Sequence, residues 1–366
     1  MMRFHVLGIP HTISTPEYSS CAFTQKVVKM CKMLKAEGHT VIHYGNSMSR
    51  VECDTNVVCT READLKQSYP GHDWRKSGFP NFKKSDPVYE RFYKRAISEL
   101  GARKQPGDFL LCAFGDWHKT IADAHQDMIV VESGIGYPNG TFAPYKVYES
   151  YAIMHAYQGN VAAMSASNSL WYDVVIPNFF NLKDFEFSSN NKDYFLFLGR
   201  LNEGKGIHIA KQIAEATKTP LIIAGHGVQE PPTELISYAG NVGPAKRREL
   251  LRDARATICA STFLEPFCGV QIESMLSGTP VISPDRGAFA EYNIQGETGF
   301  RCRTFEQFEW AARNIQNIDP YDCRAWAEQF SLENIGPRYT DYFQSIRDIS
   351  AGKGWYEPRP DRTRLF

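Results

Sequence analysis

The chain has 366 residues, with 41 Lys plus Arg balancing 41 Asp plus Glu, and zero net charge excludes a uniformly basic nucleic-acid binder. That length exceeds one comfortable core, so two domains are expected. The nine cysteines form no Cys-x-x-Cys pair and fit free thiols in a reducing, cytoplasmic setting, while no run approaches the roughly 18 apolar residues of a membrane helix.

In chain order, short apolar runs alternate with segments of helical period, the pattern of parallel α/β units. RFHVLGI (3–9) reads as a first strand. Phe23, Val27, Met30, Cys31 and Leu34 then recur at helical spacing, Gly38 marks the end, and TVIHYG follows as a second strand. Further strands are expected at 108–114 (DFLLCAF), 128–133 (MIVVES) and 173–177 (DVVIP). Near 178 the series restarts: DYFLFLGR (193–200), a helix from about 206, LIIAG (221–225), a helix from about 245, TICAS (257–261), a helix at 270–277 and VIS (281–283). The expected fold is two doubly wound, Rossmann-like parallel-sheet domains facing across a cleft. Their expected bounds are 1–178 and 179–340, with 341–366 crossing back to the first domain.

Ligands of such sheets bind at the carboxyl ends of strands. There the second half holds Arg200 and Lys205 in GRLNEGKG, a loop whose glycines let backbone approach an anion. Gly225, His226 and Gly227 end the next strand. A third loop, LEPFCGVQIE, carries Glu265, Phe267, Gly269, Val270 and Glu273 where a helix begins, and a helix N-terminus favours phosphate. Together these loops describe a nucleotide-diphosphate pocket with carboxylates left over for hydroxyl groups. Taken singly, each has an ordinary structural reading: surface charge, a turn histidine, a helix-start carboxylate.

The runs FLGRLNEGKGIHIA, IIAGHG, GNVGPAKRRELLRDARATICAS, LEPFCGVQIESMLSGTPVIS and ETGF resemble, in order and spacing over 193–300, the donor domain of family 4 glycosyltransferases. The resemblance implies the GT-B fold and retaining transfer from a nucleotide-diphosphate sugar, expected to be a UDP-sugar, without a metal. It further implies that Arg200 and Lys205 neutralise the leaving diphosphate, that Glu265 contacts the donor sugar and Glu273 the ribose hydroxyls, and that Gly269 and Val270 offer backbone amides. The chain departs from the family pattern in two places. PEYSSCAFTQKV stands where a glycine pair is common, and MIVVESGIGYP places Glu132 or Ser133 where a histidine often stands. Glu132 is therefore either a catalytic carboxylate facing the anomeric carbon or an anchor of the GIG turn.

For the acceptor, residues 72–107 carry nine Lys or Arg against four Asp or Glu, interleaved with aromatics including Trp74 and Tyr89. Basic side chains beside aromatics suit a nucleic-acid backbone and its bases, and equally an amphipathic helix with a solvated basic face. The basic, aromatic tail GKGWYEPRPDRTRLF is a second such piece. With GIGYPNGTFAPYKVYESYAIMHAYQG, the first loop more loosely resembles bacteriophage glycosyltransferases that decorate hydroxymethylated pyrimidines. This implies duplex DNA containing hydroxymethylcytosine as acceptor, in a bacterial host cytoplasm, with His11, Trp74, Lys83, Lys84, Lys94, Arg95 and His118 as candidate contacts. His155 reads as packing. The alternatives are transfer to a glycan, lipid-linked or small-molecule acceptor, and a nucleotide-sugar epimerase or binding protein of the same fold.

Overall fold

The computed structural model describes residues 1–137, 140–162, 171–190 and 192–352. The basic tail beyond Gly352 lies outside the described residues. The first sheet contains β1 (Arg3–Leu7), β2 (Thr40–Asn46), β3 (Thr55–Thr60), β4 (Phe109–Cys112), β5 (Ile129–Ile135), β6 (Tyr145–Tyr148) and β7 (Val174–Val175), ordered β3-β2-β1-β4-β5-β6-β7. The second contains β8 (Phe195–Leu198), β9 (Leu221–Ala224), β10 (Ile236–Gly240), β11 (Ala256–Ile258), β12 (Val281–Pro284) and β13 (Gly299–Cys302), ordered β10-β9-β8-β11-β12-β13. Every strand pair is parallel. The order reverses at β1/β4 and at β8/β11, and such reversals open a crevice at the strands' carboxyl ends.

The strands read from apolar runs are present because FLFL, FLLC and VISP are buried from end to end, as a sheet covered by helices on both faces requires. The sequence reading omitted β3, β6, β10 and β13. TNVVCT and ISYAG mix exposed positions with buried ones, and that mixture weakens the apolar signal of an edge strand. DVVIP contributes only a two-residue edge strand, Val174–Val175.

Two backbone crossings join the domains side by side: Phe180 N–H donates to Phe330 O (2.9 Å) and Leu332 N–H to Phe180 O (2.8 Å). From there helix Leu332–Ser350 returns to the first domain. Ser331 caps it by accepting from Asn334 N–H, and Leu332, Ile335, Tyr339, Phe343 and Ile346 enter the same core as Phe4 and Phe109. The expected division at 340/341 thus falls inside one continuous helix. Each such buried side chain contributes about 1.5–3 kcal/mol of burial, enough to fasten this helix to the first domain. All nine cysteines are free thiols.

Candidate functional site

The loops carrying Arg200, Lys205 and Glu265 converge at the β8/β11 reversal. Asn202 caps the turn Glu203–Lys205 through Lys205 N–H, and Gly206 follows at φ +72°, where an added Cβ would lie 1.9 Å from Ala260 O. This close approach fixes the Lys205 loop against the end of β11. Lys205 Nζ donates to Glu265 Oε1, which also accepts from the Ser261 hydroxyl. Burial lowers the Lys205 pKa, but Glu265 and Cys268 outweigh it and the net shift is upward. Both donors sit on Oε1, and Oε2 of Glu265 receives none among the described residues. Arg200 is exposed and forms no ion pair among the described residues.

Helix Gly269–Leu276 starts from Cys268 in the left-handed region at φ 60°. The first amides of a helix have no partner within it and carry its positive dipole end. Glu273 lies one turn on, so both face the same side; its Oε1 is 3.7 Å from the Cβ that Gly269 lacks. Glu273 Oε2 accepts from Arg247 Nε at 2.7 Å and also from Nη2. Phe267, an expected ligand residue, is instead 2% exposed and packs on Phe180, Tyr292 and Phe330, while Val270 lies against the same core. The Phe267 side chain is thus withdrawn into the core, while Val270 is only partly buried.

Gly225 and Gly227 have a structural cause. A Cβ on Gly225 would lie 1.7 Å from Gly199 O, and one on Gly227 2.7 Å from Leu201 Cβ. They let the His226 loop lie against the Arg200 loop, where Leu201 N–H donates to His226 O. The His226 ring meets Phe79 of the first domain at 5.1 Å. Burial and then the Arg200 charge lower its pKa.

The first domain's candidates divide differently. Glu132 is fully buried and saturated: Tyr137 OH donates to Oε1 at 2.6 Å, and the Phe142 and Ala143 amides donate to Oε2 at 2.9 and 3.0 Å. It anchors the turn after β5 and does not face the cleft. His118 is also fully buried, with Nε2 on Gly8 O and Nδ1 without a partner among the described residues. His11 bonds Tyr89 OH at 2.6 Å and stacks on Phe82 at 3.8 Å, and burial lowers its pKa to about 3. Both rings are buried and bonded within the first domain.

The basic segment divides as well. Tyr89 and Phe92 are core residues, and Trp74 stacks on Tyr18 at 4.6 Å with the Arg75 guanidinium over its own ring at 4.5 Å. Asn241 Nδ2 donates to Arg75 O, tying this part to the second domain. Lys83, Lys84, Lys94 and Arg95 are exposed on the outside. The interleaving of aromatic and basic residues therefore records a packed helix with a solvated face.

Sequence reading missed a buried ion pair of the first domain and the contacts that join that domain to the second. Lys26, buried on helix Ala22–Ala36, donates to Gly134 O at 2.8 Å and pairs with buried Glu149 at 3.0 Å. Burial raises the Glu149 pKa against the pull of Lys26, and Glu265 raises it further. Tyr292 OH donates to Glu149 O at 2.7 Å, and Glu291 accepts from the Tyr151 and Ala152 amides, capping helix Tyr151–Ala162 from the other domain. Helical spacing flags Lys26 only as a polar residue on a buried face, and nothing local marks Glu291.

Residues 179–319 match the family model described as Glycosyl transferases group 1. Glycogen synthase of Mycobacterium tuberculosis is 30% identical over 122 residues, 29% of this chain and 29% of that protein. The match thus spans well under half the length of the curated relatives found. Among solved structures, AviGT4, a glycosyltransferase involved in avilamycin A biosynthesis, superposes with TM-score 0.68 at 17% identity, covering 95% of this chain and 98% of that one. Anabaena Alr3699/HepE in complex with UDP-glucose gives 0.65 at 15% identity, covering 94% and 100%. At such identities the likeness is one of fold, and that fold is GT-B, two Rossmann-like domains across a cleft.

Proposed function

We propose that the chain is a retaining glycosyltransferase that moves a sugar from a UDP-sugar to a hydroxyl of a glycan or small-molecule acceptor. The observation that carries this reading is the Lys205–Glu265 pair beside Arg200, at the sheet reversal of the domain that matches the group 1 model. The UDP-glucose bound in the Anabaena structure supports the donor class.

In this reading the diphosphate lies against Arg200, Lys205 and the amides of Gly269 and Val270. The anomeric C–O bond to phosphate breaks, and the two cations with the helix N-terminus take up the negative charge that develops on the leaving oxygen. The acceptor oxygen attacks from the same face and forms the new C–O bond, while its proton passes to the departing diphosphate. Glu265, held by Lys205 and Ser261, directs its remaining oxygen at donor sugar hydroxyls. Charge neutralisation falls to protein groups in this reading, so turnover is expected to persist in EDTA.

A hydroxymethylpyrimidine in DNA is not carried forward as the acceptor. Tyr89 is buried in the first domain's core and half-buried Trp74 is already stacked on Tyr18, and nothing in the matched proteins supports a nucleic-acid acceptor. Among the described residues no helix is long and apolar enough to cross a membrane. The deciding experiment incubates the purified protein with UDP-sugars and a panel of oligosaccharides, small-molecule alcohols and hydroxymethylcytosine DNA, and weighs the products. A hexose increment on a carbohydrate or alcohol supports the reading. Transfer to DNA alone, or donor turnover that needs no acceptor, overturns it in favour of the DNA or epimerase readings.

A further inference from the structure

A cavity of about 450 Å³ runs between the domains, lined by Ser19, Lys29, Phe180, Arg247, Arg248 and Glu273 among others. At its Glu273 end the carboxylate is held asymmetrically. Arg247 places both Nε and Nη2 on Oε2, whereas Oε1 receives no donor among the described residues and lies over the first turn of helix Gly269–Leu276. A guanidinium is planar and always charged, so two of its N–H groups on one oxygen hold Oε2 from a fixed direction in a way that one freely turning ammonium does not. Glu273 is 16% exposed and Arg247 23% exposed in their side chains, leaving the free oxygen at the cavity wall. Lys29, whose ammonium lies 4.3 Å over the Phe180 ring, adds a second positive charge toward Glu273 from the first domain.

From this geometry we infer that Arg247 is a positioning residue. By occupying Oε2 it aims Oε1 of Glu273 at one ribose hydroxyl, and so restricts the donor to ribonucleoside, not deoxyribonucleoside, diphosphate sugars. A hydroxyl donated to a fixed, ionised oxygen is a strong contact, and its loss costs about tenfold or more in affinity. The inference rests on the UDP-sugar reading above, together with the ribose contact of Glu273 that the family resemblance implies.

The test is calorimetry of UDP, 2′-deoxy-UDP and 3′-deoxy-UDP with the wild-type protein, Arg247→Met, Arg247→Lys and Glu273→Gln. Wild type is expected to prefer UDP over one of the deoxy analogues by about tenfold or more. Arg247→Met, melting as wild type does, should bring that ratio within about threefold of unity, as should Glu273→Gln. Arg247→Lys keeps the charge without the grip and should recover only part of the ratio. A wild-type ratio that persists in Arg247→Met, or is fully restored in Arg247→Lys, overturns the inference and leaves the donor reading standing. If UDP does not bind the wild type, or the ratio survives Glu273→Gln, the donor assignment of Glu273 itself fails.

Discussion

Lys205 and Glu265, sixty positions apart, hold each other between the ends of β8 and β11, with the carboxylate almost wholly buried. Lys205→Ala therefore has two effects. Turnover should fall by roughly 10²–10³-fold, because the leaving diphosphate loses a cation. The fold should lose up to about 3 kcal/mol, because Glu265 is left buried without its partner. Arg200→Ala should lower turnover similarly without a shift in melting temperature, since Arg200 is exposed and unpaired among the described residues. Unchanged turnover in both variants would remove the diphosphate assignment.

The two glutamates should separate by ligand. Glu273→Gln should weaken UDP and UDP-sugar alike, by about tenfold, since both contain ribose. Glu265→Gln should weaken only the sugar-dependent part of binding. Titration of bare UDP into each variant checks this, and equal losses of UDP affinity in the two would reject the division.

Glu132 should matter to stability alone. Its two oxygens accept from one hydroxyl and two amides, and Glu132→Gln turns an NH₂ toward at least one donor, at a cost of about 1–3 kcal/mol in urea unfolding. Turnover of the folded variant should stay within about threefold of wild type, because the residue touches no cleft. A hundredfold loss at unchanged stability would restore a catalytic role.

Acid should loosen the fold through its buried histidines. Burial lowers His11 to about 3 and both His43 and His118 to about 4, below the unfolded value near 6.5. Between these values the unfolded chain binds protons that the folded chain refuses. The stability is thus present above about pH 6.5 and lost as pH falls toward 4, by at most about 1.4 kcal/mol per pH unit per histidine. Glu132 and Glu149, raised by burial, act oppositely, since their contribution is present below the unfolded pKa and lost as pH rises through the folded one. Urea midpoints from pH 7 to 4.5 should therefore fall less steeply in His118→Asn than in wild type, and parallel slopes would contradict the assignment.

Glu291 should tie domain closure to helix capping. Its carboxylate accepts from two amides of the facing domain, a cap whose removal costs about 1 kcal/mol. Glu291→Ala should therefore enlarge the radius of gyration of the unliganded protein in X-ray scattering. A profile identical to wild type would show that the cap does not hold the domains together.

The sequence alone determined the architecture and the placing of the candidate loops at strand ends, because both are written locally. Runs such as FLFL and LIIA are apolar from end to end because parallel strands are covered on both faces. Gly206, Lys205 and Glu265 sit in short loops at strand ends, where residue type and spacing suffice to place them. Tertiary structure decided what each charge meets. Glu132 and Glu149 look alike in sequence, yet one is consumed by a turn while the other is paired with Lys26 at the domain boundary. Trp74, Tyr89 and the lysines around them are equally compatible with a DNA surface and with a packed helix until their neighbours are known. The Arg247–Glu273 and Glu291–Tyr151 contacts join residues 26 and 140 positions apart. No periodicity encodes such pairs, because burial and partnership are properties of the assembled domains and not of any single segment.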